Sequence, residues 1–222
     1  MFITMAGTTG PDAEFFSTIP WVASLLAQPT NVPFTPTCRQ PPNPSNPYAT
    51  KDLFFRKSLN DADIIPHVIA FYEDPFSSDA QEDSDEKGTR LLVKKGALIC
   101  DLQAGTKGYH GSAHGGLIGT MIDEAMGAFI HVNYQVYTRV KSSTLDRIPI
   151  NTLDMHGLAM VTANMNVHFK APLPVPSVVL VEVKFNKIEG RKIFFDVEVR
   201  GEKGVVYATC LAMWVVLPVP KL

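Results

Sequence analysis

The sequence predicts an α+β domain: one long buried helix set against an antiparallel sheet, with an N-terminal extension. Three observations carry this. Residues 114–130 form an apolar stretch with helical periodicity. Three strand-like runs and a closing fourth follow it, the last three joined by short Gly-containing turns, the pattern of an antiparallel meander. Helix and strands are segregated rather than alternating, which is not the signature of a parallel sheet. At 222 residues the chain is one large domain or a smaller domain with an extension. It divides into an N-terminal helix and Pro-rich wrapping arm at 1–60 and a main domain at 61–222.

Residues 11–26 place Phe15, Phe16, Ile19, Val22 and Leu26 on one side of a short helix, with Pro20 weakening it. Residues 28–48 are rich in Pro and Asn and read as an extended arm. Leu53, Phe54 and Phe55 are the expected anchor of that arm. Residues 64–72 predict a strand. Residues 73–87 hold seven carboxylates and one Lys, a solvated acidic loop. Strand character resumes at 90–102, and a Gly-rich turn at 103–112 leads into the central helix.

On a helical wheel Leu117, Ile118, Met121, Ile122, Ala125, Met126 and Phe129 fall on one broad apolar face, which needs a sheet to cover it. The other face carries Gly116, Gly119, Thr120, Asp123 and Gly127, with Glu124 at its edge. A solvated face is normally rich in Lys, Glu and Gln, so a face of small residues around an acid points to close approach by a backbone or ligand. Residues 133–156 read as a long polar connection, a length often associated with lids. Met160 to Lys170 alternates, with Val161, Ala163, Met165, Val167 and Phe169 on one side and Thr162, Asn164, Asn166 and His168 on the other. Strands over 178–188 and 192–200 follow, joined at Glu189-Gly190-Arg191. A hairpin turn at 201–204 leads to a last strand over 205–217.

Composition excludes several classes. A net charge of −2 argues against nucleic acid as partner. Asp123 and Glu124 interrupt the best candidate for a membrane span. The first basic residue is Arg39, so the N-terminus lacks the charged start of a secretory signal and the Arg-rich character of a transit peptide. Cys38, Cys100 and Cys210 are odd in number and far apart, which suits free thiols in a reducing, cytoplasmic setting. No Gly-x-Ser-x-Gly elbow and no phosphate-binding Gly-Lys-Ser/Thr loop is present. His110 and His114 flank Gly111 ahead of the helix, so no metal is expected; His114 instead orders the turn by hydrogen bonds. The amides of Gly115 and Gly116, at the positive end of the helix dipole, can polarise a carbonyl or hold an oxyanion.

His114-Gly115-Gly116 followed by Asp123 nine positions after the His resembles the signature of the hotdog-fold acyl-CoA thioesterases. The most similar branch is the animal thioesterase superfamily members four and five with their fungal relatives. The likeness continues through Met160 to Pro172 and Ile188 to Lys192, and spans roughly 90–217. It implies a hotdog fold, a long helix wrapped by a curved antiparallel sheet. It implies a homodimer or dimer of dimers, sheets joined edge to edge and sites at the interface. It implies Asp123 as general base or nucleophile, Gly116 or Gly115 as carbonyl-oxygen donor, and Thr162 as a hydroxyl aiding the acid or the water. Lys170, Arg191 and Lys192 fall where basic residues could meet coenzyme A phosphates, with coenzyme A entering as part of the substrate and no separate cofactor. The connection at 133–156 is longer than in the animal members, which leaves acyl preference open. Two rivals remain. One is a dehydratase or polyketide-modifying enzyme, which would want His168 pointing inward beside an acid. The other is a non-catalytic acyl-CoA-binding regulatory subunit.

Overall fold

The computed structural model describes residues 10–40, 52–77, 88–143 and 148–218. The acidic stretch at 73–87 falls mostly outside them, as does the arm between 41 and 51.

Two short helices open the described chain, α1 (Pro11–Ser17) and α2 (Pro20–Leu26). Proline begins each of them, because its fixed φ suits a first helical turn and its missing N–H costs nothing there. Pro20 therefore divides the expected single helix in two. The arm then forms β1 (Asn31–Phe34) and a 3₁₀ turn at Thr37–Arg39. A π-helical turn follows at Phe54–Ser58. Of the three expected anchors only Phe55 is buried; Leu53 and Phe54 are exposed.

The strands β2 (Val68–Glu73), β3 (Lys95–Leu102), β6 (Met160–Phe169), β7 (Ser177–Glu189), β8 (Lys192–Arg200) and β9 (Val206–Val216) join β1 in one antiparallel sheet. Its order is β1-β2-β3-β7-β8-β9-β6. A small hairpin of β4 (Lys107–Tyr109) and β5 (Ser112–Ala113) leads into α3 (Gly115–Ser143). The helix lies across one face of the sheet, with Ile118, Met121, Ile122, Ala125, Met126 and Phe129 packed on Leu98, Val181, Val183, Ile193 and Phe195. This is the hotdog arrangement.

The opposite face is covered over β2, β3 and β7. There Phe16 and Val22 of α1 and α2 pack on Ile69, Phe71, Ala97, Ile99 and Leu180. Strands buried on both faces lose the in–out alternation, which is why β2 and β3 read as unbroken apolar runs. Strand β8 is covered on one face only and alternates cleanly.

Two expectations need correction. The connection at 133–156 is not a polar loop over its first half: α3 continues to Ser143. Val132, Val136, Tyr137 and Val140 extend the buried stripe. Asn133, the first residue of the expected connection, is fully buried; it accepts from the Val93 N–H at 2.8 Å and donates to the Val93 and Phe129 carbonyls, each at 3.2 Å. The second correction concerns β6. Thr162 pairs with Trp214 and Asn164 with Met213, so two residues of β6 span one step of β9 and Ala163 is a bulge. The bulge resets the alternation. Met160 and Thr162 before it share the helix-facing side with Met165, Val167 and Phe169 after it, and Asn164, Asn166 and His168 turn outward.

Candidate functional site

The bulge places a hydroxyl on the helix. Thr162 donates to Asp123 Oδ1 at 2.5 Å, the short distance of a charge-assisted bond. Asp123 is exposed in the single chain, so the burial expected for it on the small face is not supplied by its own chain. The small residues leave room above it: an added Cβ at Gly119 would meet nothing within 4 Å, and one at Gly127 would only reach Trp214 at 3.9 Å. Thr120 turns back onto its own helix and donates to the Gly116 carbonyl at 2.9 Å.

At the start of α3 the two glycine amides differ. Gly116 N–H donates to His114 Nδ1 at 3.0 Å, so the imidazole caps that amide. Gly115 N–H has no acceptor among the described residues and faces solvent. Gly115 is therefore the amide open to a carbonyl oxygen, and Gly116 is held by His114. The Phe169 ring lies against Gly115, 3.4 Å from where a Cβ would stand. The β4–β5 hairpin closes tightly behind His114, because a Cβ on Gly108 would come within 2.8 Å of the His114 Cα.

The basic residues do not converge. Lys170 follows Phe169, at the Gly115 end of β6. Arg191 and Lys192 sit at the β7–β8 turn, where Arg191 reaches the Val216 carbonyl at 3.5 Å and Lys192 pairs with Val215. Val215 in turn pairs with Val161, so eight residues of β6, about 26 Å of strand, separate the two groups. One chain cannot bring all three to one phosphate. His168 faces outward and is exposed, opposite the side that carries Thr162, so it forms no pair with Asp123 within the chain.

Glu124 diverges from Asp123. It turns toward the arm, where Cys38, Asp52 and Glu124 each place one atom within 4.8 Å of the others. Burial, before any charge effect, pushes the Cys38 thiol far above its ordinary range, and Arg39 stands beside it. A metal ligand must be a thiolate, which burial disfavours, and the Arg39 charge would repel a metal ion, so the trio is better suited to sharing protons than to holding a cation. In the sequence the three lie apart: Cys38 as a free thiol, Asp52 within the arm, Glu124 on the edge of the helix face. All three described cysteines are indeed free and buried.

No helix is long and apolar enough to cross a membrane among the described residues.

Comparison with known proteins follows the same region. The thioesterase superfamily model matches residues 110–208. The acyl-coenzyme A thioesterase THEM4 of Bos taurus is 29% identical over 141 residues, covering 63% of this chain and 46% of the relative. Verlamelin biosynthesis protein B of a Lecanicillium species is 26% identical over 169 residues, covering 73% of this chain and 71% of the relative. The chain thus spans less than half the length of the thioesterase THEM4. A solved hypothetical thioesterase protein with coenzyme A from Streptococcus pneumoniae has a TM-score of 0.43 at 15% identity, covering 60% of this chain and 83% of that one. The match begins at His110, takes in the His114-Gly115-Gly116 turn, the Asp123 helix and the bulged β6, and ends within β9. Over residues 110–208 the chain is thus similar to the thioesterase superfamily.

Proposed function

We propose that the protein hydrolyses an acyl thioester, an acyl-CoA or a carrier-bound acyl group, to free acid and thiol. The observation that carries this reading is the Thr162–Asp123 hydrogen bond on a helix whose first amide, Gly115, is open. The thioester carbonyl oxygen rests on the Gly115 amide, which sits at the positive end of the dipole and stabilises the oxyanion as it forms. Asp123, oriented by Thr162, draws a proton from water that attacks the carbonyl carbon, or attacks that carbon itself to form an anhydride that water then opens. The thiolate departs and takes up a proton.

Gly115 and Asp123 are eight residues apart on one helix, about 12 Å along its axis. One carbonyl cannot be polarised by the first and attacked through the second unless the two come from different chains. Two antiparallel copies of α3 about a two-fold axis meet this requirement. Among the described residues β6 is one of the two edge strands of the sheet, with Val161 and Phe169 exposed along it, and offers the place for a second copy to pair. In such a dimer Phe169 and Lys170 of one protomer stand with Gly115, and Thr162, Arg191 and Lys192 of the other stand with Asp123. This also supplies cover for the exposed Asp123. The outward turn of His168 speaks against the dehydratase reading, which needs a His beside the acid. An open Gly115 amide together with an oriented Asp123 carboxylate speaks against a purely regulatory subunit.

The test is thiol release from a panel of acyl-CoAs of increasing chain length, with mass spectrometry of the products. Free acid and CoA in equal amounts are expected. Dehydrated acyl-CoA with no thiol release, or tight binding with neither product, would replace this reading with one of its rivals.

A further inference from the structure

Asp123 and Glu124 are adjacent acids that serve two different neighbourhoods. Asp123 meets β6, whereas Glu124 meets the N-terminal arm. The Cys38 Sγ, one Asp52 carboxylate oxygen and one Glu124 carboxylate oxygen all lie within 4.8 Å of one another. They come from three separate segments: the 3₁₀ turn of the arm, the position two residues ahead of the π-helical turn, and the middle of α3. Cys38 is 1% exposed. The arm is tied down around them. Arg39 donates to the Phe55 carbonyl at 2.8 Å and the Ile65 carbonyl at 2.6 Å, and Arg56 donates to the Gln40 and Thr37 carbonyls.

Two carboxyl groups this close and largely withdrawn from water cannot both carry charge without a large cost, but one proton between them turns repulsion into a hydrogen bond. Glu124 is the holder of that proton. Burial first, and then the charge of Asp52, lift its carboxyl to about 8, and its hydrogen bond with Cys38 works in the other direction. Asp52 is the acceptor. It also takes the Phe55 backbone N–H, while its Oδ2 is buried with no protein partner. Asp52 has φ 58°, in the left-handed region that costs a side-chain-bearing residue energy, so the packing around it holds this backbone in place.

We propose that Cys38, Asp52 and Glu124 form a latch, held by a shared proton, that keeps the N-terminal arm closed over the middle of α3 and loosens when that proton is lost. The groups facing Glu124 are Cys38 and Arg39 from the arm, Asp52 with Arg56 from the next turn, Cys100 from β3, and Asp123 from α3 itself. Arg39 favours the ionised form of Glu124 and the two aspartates oppose it, while Arg56 acts on Asp52. When the arm opens, the Glu124 carboxyl returns to water and to its ordinary value of 4.5. Between 4.5 and about 8, opening therefore releases one proton. The opening equilibrium rises by up to about tenfold per pH unit across that window and levels off above it.

The experiment is alkylation of Cys38 by iodoacetamide in the full chain from pH 5 to 9, read by peptide mass spectrometry. Each rate is divided by that of the Glu124→Gln variant at the same pH, which cancels the intrinsic reactivity of the thiol. A glutamine can donate to Asp52 and accept from Cys38 at every pH, so its latch has no proton to lose. The ratio should climb by up to about tenfold per pH unit to pH 8 and then flatten, while labelling of Cys210 shows no such ratio. A flat ratio across the range overturns the latch. If Glu124→Gln does not fold, Glu124→Met serves as the reference, because it too removes the titrating carboxyl, and the ratio to it should show the same climb and plateau. The readout needs no turnover, so its failure leaves the hydrolysis reading standing, and failed hydrolysis leaves the latch testable.

Discussion

Thr162 reaches Asp123 across 2.5 Å only because β6 carries one extra residue, Ala163, between it and the rest of its strand. Without the bulge, strict alternation would turn Thr162 away from α3 whenever Met165 and Val167 face it. The proposed chemistry therefore rests on a break in the sheet.

Asp123→Asn should fold normally and lower kcat/KM by at least about 10²-fold, the scale of a lost acid–base group. Thr162→Val should cost about tenfold, near the ~1.5 kcal/mol of one hydrogen bond to a charge. Steady-state kinetics on the best acyl-CoA, with circular dichroism as the folding control, decide this. Unchanged turnover in Asp123→Asn would remove Asp123 from the mechanism.

Deleting Ala163 forces a choice between the two halves of β6. Met165 and Val167 pack against the core and should keep their side, so Thr162 is the residue that turns outward. Activity should fall at least as far as in Thr162→Val, with a shift of only a few degrees in Tm. Full activity in the deletion variant would show that the bulge does not position the hydroxyl.

Gly115→Pro removes the open amide at the first helical position, where proline is well accommodated. It should fold and lose turnover. Mixed with Asp123→Asn under conditions of subunit exchange, it should recover about a quarter of wild-type activity, since about half the dimers are mixed and each holds one intact site. No recovery despite demonstrated exchange would mean that each chain completes its own site.

Glu182 is buried and bonded to Lys95 at 3.2 Å, Lys184 at 3.0 Å and Arg200 at 2.8 Å. Burial alone would raise its carboxyl, but the three cations overcome this and hold it below its ordinary value. Its stabilising contribution is therefore present above the unfolded carboxylate range and lost as pH falls through the lower, folded one. Glu182→Ala should destabilise by about 1–2 kcal/mol at pH 7, because three part-exposed cations lose their shared carboxylate. The loss should shrink as the pH is lowered toward 3. Urea unfolding at both pH values measures this, and a loss equal at the two would contradict the ionic account.

The sequence alone determined the architecture and the chemical vocabulary of this protein. The apolar face from Leu117 to Phe129, the meander after residue 160, and the Gly-Gly and Asp123 spacing are local patterns set by periodicity and turn chemistry. What only the tertiary structure decided lies where residues distant in sequence meet. Burial of Asn133 against Val93 turned an apparent loop into the second half of α3. The pairing of β6 with β9 revealed the bulge that reverses the side on which Thr162 stands. His114 chose between the two glycine amides. The closing of the arm gave Glu124 partners from positions 38 and 52, a role no periodicity could announce. A repeat of 3.6 or 2 residues records which face is covered, but what covers it, and through which atoms, is set by long-range packing that leaves no local trace.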